Sequence, residues 1–577
     1  MDSQCPIQAR TVSFTDISNA CANKKKGNGL PSPAGCDVFL PLNEVDSLIQ
    51  PERVRLTLTE LRRVAESKMS DGEMSDLVEY IMNHAKKIFL ILVITRTIHN
   101  IMDVKKRNFE DQHLPVYITG QQTDNQAIHL TDIQGPINSQ GTGHSQGSNM
   151  LLEDFTWSDA EKDSFYEKQW VFLAPNFSEA NFAYTFENYR PLPFLPAATP
   201  GGGAGHFGTV QRLKLHFAHY GNIPSLQEAI NGSSDKGVDI AVKRLTQIGN
   251  ETDVAKFYDK ENSTLEVMRS LKKDHLIRAI ATYKKGNDRY FLFPWAKGGN
   301  LQDMLEKDER KLDKDLINWI VCQIVGLSEG IAALHANNIR HGDIKPSNIL
   351  CDGPDLGASN KSILLIADVG LAKKHEEYTR YRPKITTTRH GSITYEPPEV
   401  SPKKELGRLS RKYDVWSLGC VFLELIIWAV YGTNGIKTFH KELNKNATPQ
   451  FWKDRKVHSG EKVHSIVKKR FKDLKKDLKN LPALAHLVEF IEEKLLKVSV
   501  DERPYSTAVY DKLKTIKQDI DNIPEDRFNA ELTKLVPKRE TPAPAESTNA
   551  GTNLATQYVR SPRSWCSWLL KTRPAHK

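Results

Sequence analysis

The segment His341-Gly342-Asp343-Ile344-Lys345-Pro346-Ser347-Asn348 places a carboxylate, an ammonium and an amide within six residues, and a second carboxylate, Asp368, follows twenty residues after Asn348. No other feature constrains the fold as strongly, because these groups become useful together only if the backbone returns and brings them to one point. In phosphoryl transfer one carboxylate orients the attacking hydroxyl, while a second carboxylate and an amide oxygen hold magnesium against the phosphates. Any one of these residues alone is more often a loop cap. The set, in this order, points to chemistry.

Phosphate chemistry also calls for backbone amides and a buried cation. Gly201 to Val210 contains Gly203-x-Gly205-x-x-Gly208-x-Val210, where missing side chains let amides approach phosphate oxygens. Glycine loops also open dinucleotide-binding folds or simply make turns. Thr209 to Leu215, however, alternates like a strand, whereas a dinucleotide fingerprint requires a helix there. Downstream, Val238-Asp239-Ile240-Ala241-Val242-Lys243 is a short β-branched strand ending in lysine. The helical pattern of Phe257, Leu265, Met268 and Leu271 offers two carboxylates to keep that ammonium aimed, Glu261 as the favoured partner and Glu266 as the other. The stretch from His216 to Gly237 exceeds what a tight hairpin needs and reads as a surface insertion.

Taken together, these segments resemble the eukaryotic protein kinase superfamily of serine/threonine type, with Lys345 where serine/threonine-specific members carry lysine. The resemblance covers residues 195–518 and implies an α+β, bilobal protein kinase fold with a β-rich upper lobe and a helical lower lobe. It implies ATP and Mg2+ as cofactors and protein substrates as partners. Asp343 would accept or orient the substrate proton, Lys345 would offset charge on the transferred phosphoryl group, and Lys243, kept aimed by Glu261, would neutralise phosphate oxygens. Asn348 and Asp368 would be the metal ligands. The nucleotide would contact Gly203, Gly205, Gly208, Val210, Ala241, Lys243 and Leu350, and the hinge residues Phe293, Pro294 and Ala296. Pro294 keeps a carbonyl acceptor and Ala296 an amide donor for the adenine, and Phe293 would limit pocket depth. Gly391 to Glu399 resembles the segment that positions the acceptor peptide, with Ser392 facing Asp343 and Lys345. The same precedent pairs Glu399 with Arg503, and assigns Asp414, ahead of the apolar run Cys420 to Tyr431, to anchor the catalytic-loop backbone.

Two positions depart from the family pattern. Gly342 replaces an arginine that in many members pairs with a phosphorylated activation loop, so activity is expected not to depend strictly on Thr386, Thr387 and Thr388. Val369 replaces the phenylalanine of the metal-binding turn, which bears on how readily that turn flips. These departures support an alternative, a pseudokinase scaffold or nucleotide-binding interaction protein. Retention of Lys243, Asp343, Asn348 and Asp368 favours the enzyme.

At 577 residues the chain is too long for one hydrophobic core. Residues 1–42 are polar and read as a disordered leader, 43–133 as a helical accessory domain with a possible regulatory partner, and 134–155 as a flexible linker. Residues 156–194 are rich in aromatics expected to pack on the kinase, and 519–577 form a mostly disordered tail, where Trp565 and Trp568 suggest a docking segment. The net charge of +9 is spread among acids, so nucleic acid is not expected, and the lysine-rich run from Lys453 to Lys479 reads as a solvated helix face. The seven cysteines have neither metal nor disulfide spacing, which fits reduced thiols in the cytoplasm, with the nucleus left open. The apolar run Ile88 to Ile94 falls well short of the roughly 20 residues that span a bilayer, and no membrane span is expected.

Overall fold

A computed structural model describes residues 10–21, 37–64, 69–118, 152–205, 208–221, 223, 226, 237–245, 251–307, 310–353, 362–368, 393–400, 410–445, 449–453 and 462–536. Two compact units emerge: one from Met1–Thr199, Arg212–Val242 and Ile280–Leu292, the other from Pro200–Gln211, Lys243–Ala279 and Phe293–Lys577. Most of the expected linker and both tail tryptophans, Trp565 and Trp568, lie outside the described residues.

The first unit begins with helices α1 (Phe14–Ala20), α2 (Leu42–Leu48), α3 (Pro51–Val64), α4 (Asp71–His84), α5 (Lys86–Thr95) and α6 (Ile101–Lys106). Helix α5 is apolar from Ile88 to Ile94, and Ile88 to Leu92 are fully buried, as expected of a central core helix. The Asp111 carboxylate accepts from the Lys87 and Ile88 N–H groups, 2.9 and 3.0 Å away, and satisfies donors that a helix start leaves open. The expectation of a disordered leader through residue 42 is corrected here. Helix α1 forms because Ser13 and Asp16 make a reciprocal capping box, and its Ile17 enters the core with Val12 and Leu40. Arg53, at 2.8 Å, pairs with the nearly buried Asp16.

The aromatic stretch also differs from expectation, because it divides. Phe155, Trp157, Phe165 and Phe172, around helix α7 (Asp159–Gln169), complete the helical core. Phe177, Phe186 and Phe194 instead join a second core with Leu213, Leu215, Val238 and Ile240. Rings bury against whichever apolar face the chain passes, and composition alone does not say where one face gives way to the next.

That second core lies against a seven-stranded sheet of β1 (Ala183–Phe186), β2 (Phe194–Pro196), β3 (Gly202–Gly205), β4 (Gly208–His216), β5 (Gly237–Leu245), β6 (Ala281–Lys285) and β7 (Asp288–Pro294). The order is β1-β6-β7-β5-β4-β2, with β3 on β4; β1 runs parallel to β6, and β6 and β7 form an antiparallel hairpin. The start of the expected surface insertion is built into the fold. Its His219 is fully buried, Nδ1 donates to the Pro175 carbonyl at 2.9 Å and Nε2 accepts from the Leu42 N–H at 3.2 Å.

With both nitrogens used, a second ring proton would face an N–H donor. Burial, opposed by the Pro175 bond and helped by nearby His216, pushes the ring down to about 4. The unfolded chain binds the proton near 6.5, so folding stability is whole above that value and drains as pH falls toward about 4. A loss of about 3 kcal/mol is expected across this window, at about 1.4 kcal/mol per pH unit. Denaturation at stepped pH checks it: His219→Gln should show a slope shallower by about one proton.

In the second unit the principal helices are α8 (Glu251–Leu271), α9 (Leu301–Lys307), α10 (Lys314–Ala336), α11 (Lys412–Asn444), α12 (Ser465–Asp477), α13 (Pro482–Phe490), α14 (Ser506–Asp521) and α15 (Glu525–Thr533). Helices α10 and α11 are long and apolar enough to cross a bilayer, yet both are largely buried within the protein, which is the signature of core helices. Gly432, at a left-handed φ of 67°, breaks α11 into two arms. The folded region also runs past residue 518, where a mostly disordered tail was expected. Phe528 and Leu532 of α15 are buried, and Asn529 Oδ1 accepts from the Lys314 N–H at 3.0 Å. The apolar spacing Phe528, Leu532, Leu535 was the available signal.

Candidate active site

Strands β8 (Ile349–Asp352) and β9 (Ile363–Ile366) pair antiparallel with Ile349 opposite Ile366, so Asn348 and Ala367 meet at one end of the hairpin. The Ala367 N–H donates to the Asn348 carbonyl at 2.9 Å, and Asp368 follows immediately. A two-residue register thus brings together groups twenty residues apart in sequence. Asp368 adopts φ 59°, a left-handed conformation that aspartate tolerates better than most residues.

The same turn meets Lys243. Its Nζ lies 2.8 Å from Asp368 Oδ1 and 3.3 Å from Glu261 Oε1, while Glu266 is exposed. Burial opposes the ammonium's charge, but Asp368 and Glu261 outweigh it and hold Lys243 protonated above the usual lysine range. Glu261 is driven up by burial, which Lys243 offsets only in part. For Asp368 burial is the largest influence, yet Lys243 overcomes it and keeps the carboxyl below its usual value. The Asp368 side chain is 40% exposed, so this corner opens to solvent while Glu261, at 2%, is sealed. Glu261 Oε2 is buried without a hydrogen-bond partner.

Around Asp343 the loop closes on itself. Asp343 Oδ2 accepts from Lys345 Nζ at 2.8 Å and from Asn348 Nδ2 at 2.9 Å, and Asn348 Nδ2 also reaches the Asp343 carbonyl at 2.9 Å. That amide orientation turns Asn348 Oδ1 the other way. Among the described residues no three His, Cys, Asp or Glu side chains converge as a metal cage. An amide oxygen and a carboxylate oxygen are instead the partial oxygen shell that suits magnesium, which keeps waters and phosphate oxygens in its other positions.

The loop is anchored from below. Asp414, fully buried at the start of α11, accepts from the His341 and Gly342 N–H groups at 2.8 and 2.7 Å and is 2.8 Å from His335 Nε2. His341 bridges to the Asp368 turn: Nδ1 accepts from the Asp343 N–H at 3.2 Å, and Nε2 donates to the Ala367 carbonyl at 2.9 Å. Sequence reasoning singled out neither His335 nor His341 for these contacts, since a histidine's partners lie in distant segments. Gly342 takes φ 77°, where an L side chain is strained. Gly342→Ala is expected to lower stability by about 1 kcal/mol in chemical denaturation.

The other residues expected at the nucleotide lie on or beside strands. Gly203 pairs with Val210 and Gly205 with Gly208 in the β3–β4 hairpin. A Cβ on Gly208 would collide with the Arg244 carbonyl, so this glycine has a packing reason independent of any phosphate. Ala241 is fully buried on β5. In the hinge segment Phe293 and Ala296 are buried, Pro294 ends β7, and the Gly298 N–H donates to the Cys351 carbonyl at 3.0 Å, beside buried Leu350. Glu399 and Arg503 form two parallel bonds of 2.8 Å. Val369, Thr386, Thr387, Thr388 and Ser392 lie outside the described residues.

Comparison with known proteins is specific to this part of the chain. The family described as Protein kinase domain matches residues 222–511, half of the chain. LRR receptor-like serine/threonine-protein kinase FEI 2 of Arabidopsis thaliana is 32% identical over 227 residues, 39% of this chain and 32% of that protein. Serine/threonine-protein kinase ICK of Rattus norvegicus is 28% identical over 197 residues, 33% of this chain and 27% of that protein. Serine/threonine-protein kinase MAK of Homo sapiens is 29% identical over 197 residues, again 33% and 27%. The chain thus spans about a third or less of the length of these relatives.

Proposed function

We propose, from the premise that this chain belongs to the eukaryotic protein kinase superfamily, that it transfers the γ-phosphate of Mg-ATP to serine and threonine hydroxyls of proteins. The observation that carries the reading is the Lys243, Glu261 and Asp368 cluster, whose Asp368 follows the same β8–β9 hairpin that presents Asn348 and, through it, Asp343. Lys243, kept charged by two carboxylates, binds phosphate oxygens. Asp343 orients the incoming hydroxyl and takes up its proton, while Lys345, tied to Asp343, balances charge near the moving phosphoryl group. Asn348 Oδ1 and Asp368 would hold magnesium, which when bound would offset the charge of the phosphates. The serine/threonine-protein kinases among the relatives and the presence of Lys345 favour serine and threonine as acceptors. A reducing, cytoplasmic or nuclear setting fits Cys21, Cys322, Cys351 and Cys420, which form no disulfide among the described residues, and the helical part of the first unit is assigned a regulatory partner.

Incubating the purified chain with ATP labelled on the γ-phosphate, magnesium and a serine- and threonine-containing peptide should label those hydroxyls. Chelation of magnesium, or Asp368→Asn, should abolish the label. Absence of labelling by the wild-type chain, or labelling indifferent to both treatments, rejects the reading.

A further inference from the structure

Glu424, in the first arm of α11, is completely buried, and its cationic partner among the described residues is His440, on the second arm, with Nε2 2.8 Å from Oε1. The Tyr395 hydroxyl lies 3.0 and 3.1 Å from the two carboxylate oxygens. Tyr395 belongs to the segment that resembles the acceptor-peptide element, four residues before Glu399. Its carbonyl accepts from Ser417 Oγ at 2.9 Å, and the neighbouring Glu396 carbonyl accepts from Trp452 Nε1 at 2.9 Å. A carboxylate sealed from water is costly without a compensating charge, and one hydroxyl cannot supply it.

We propose that His440 is a positioning residue: its ring, 2.8 Å from Oε1, ties the second arm of α11 to Glu424, and Glu424 in turn holds Tyr395 and residues 393–400 in the shape that receives the acceptor peptide. This rests on the kinase reading for its consequence, but the pairing itself does not. Among the described residues the ionisable groups around the ring include Glu424, with the Cys420 thiol near it, Glu306 from α9, and Tyr395; Lys469 and Arg470 of α12 are engaged with Glu442. Burial works against the ring's charge, yet Glu424, with Glu306 assisting, outweighs it, so His440 keeps its proton above the ordinary 6.5. The ordering of residues 393–400 is therefore complete below 6.5 and is lost as pH rises through the raised value.

The test uses the full chain as wild type, His440→Lys, which keeps a cation, and His440→Gln, which keeps only a donor. Peptide and ATP KM values are measured from about pH 6 to about pH 9, alongside the histidine titration by NMR and exchange protection of residues 393–400 corrected for intrinsic rates. In the wild type, peptide KM should rise about tenfold as the ring loses its proton, with ATP KM flat. His440→Lys should stay low throughout, and His440→Gln should sit at the high value at every pH. Superimposable profiles for wild type and His440→Lys, or an unchanged KM in His440→Gln, would overturn the proposal. If no variant transfers phosphate, the kinase reading fails on its own. Protection still decides the pairing: it must fall with ring deprotonation in the wild type and not in His440→Lys.

Discussion

Asp343→Ala is expected to lower phosphate transfer by about 10²- to 10⁴-fold, the range that a positioned proton acceptor contributes. The side chain holds two partners through Oδ2, Lys345 Nζ at 2.8 Å and Asn348 Nδ2 at 2.9 Å. Removing it frees the lysine as well as the hydroxyl's acceptor, and the loss should fall on kcat. The loop itself should persist, because Asn348 Nδ2 still reaches the residue-343 carbonyl, and Asp414 still holds the His341 and Gly342 N–H groups. ATP affinity, set by other residues, should change little, so kcat and kcat/KM should drop together. Steady-state kinetics with a nucleotide-binding titration checks both halves. A variant as fast as wild type would remove Asp343 from the reaction.

Arg503→Ala is expected to destabilise the second unit by about 3–5 kcal/mol, because it strands the Glu399 carboxylate in a largely dry site. Arg503 has no exposed side-chain surface; it makes two 2.8 Å bonds to Glu399 and also donates to the Lys497 carbonyl at 2.7 Å. Its guanidinium lies over Trp416, 5.2 Å from the ring centre. The midpoint of thermal unfolding should fall by about 10 °C. Glu399→Ala should cost a similar amount, and the double substitution should cost less than the sum, since the two residues share one interaction. Strictly additive losses, or a change of midpoint within error, would show the pair to be dispensable.

Several of these groups were legible before any fold was known, and for stated reasons. Short-range patterns carry the glycine loop with the strand after it, the strand that bears Lys243, and the order Asp343, Lys345, Asn348, Asp368, because strand alternation and residue chemistry are local; the structure extends that strand to Leu245. Local signals were also overlooked: the Ser13 and Asp16 capping box sat in a polar stretch, and the apolar spacing after Pro524 lay beyond the expected end of the domain.

The choice between Glu261 and Glu266 shows where local information ends. Five residues of helix separate their directions by about 140°, so only one can face a buried lysine, but the sequence does not say which way the helix docks. Packing does: Glu261 is buried at 2% and Glu266 is exposed. By itself the sequence determined which chemical groups the chain carries and which short elements present them. Only the tertiary structure decided which groups meet, including the β8–β9 register beside Asp368, the histidines around Asp414 and Glu424, and the division of the aromatics between two cores. The physical reason is that strand register, burial and charge pairing depend on segments far apart in the chain, whose approach is selected by the free energy of the whole fold.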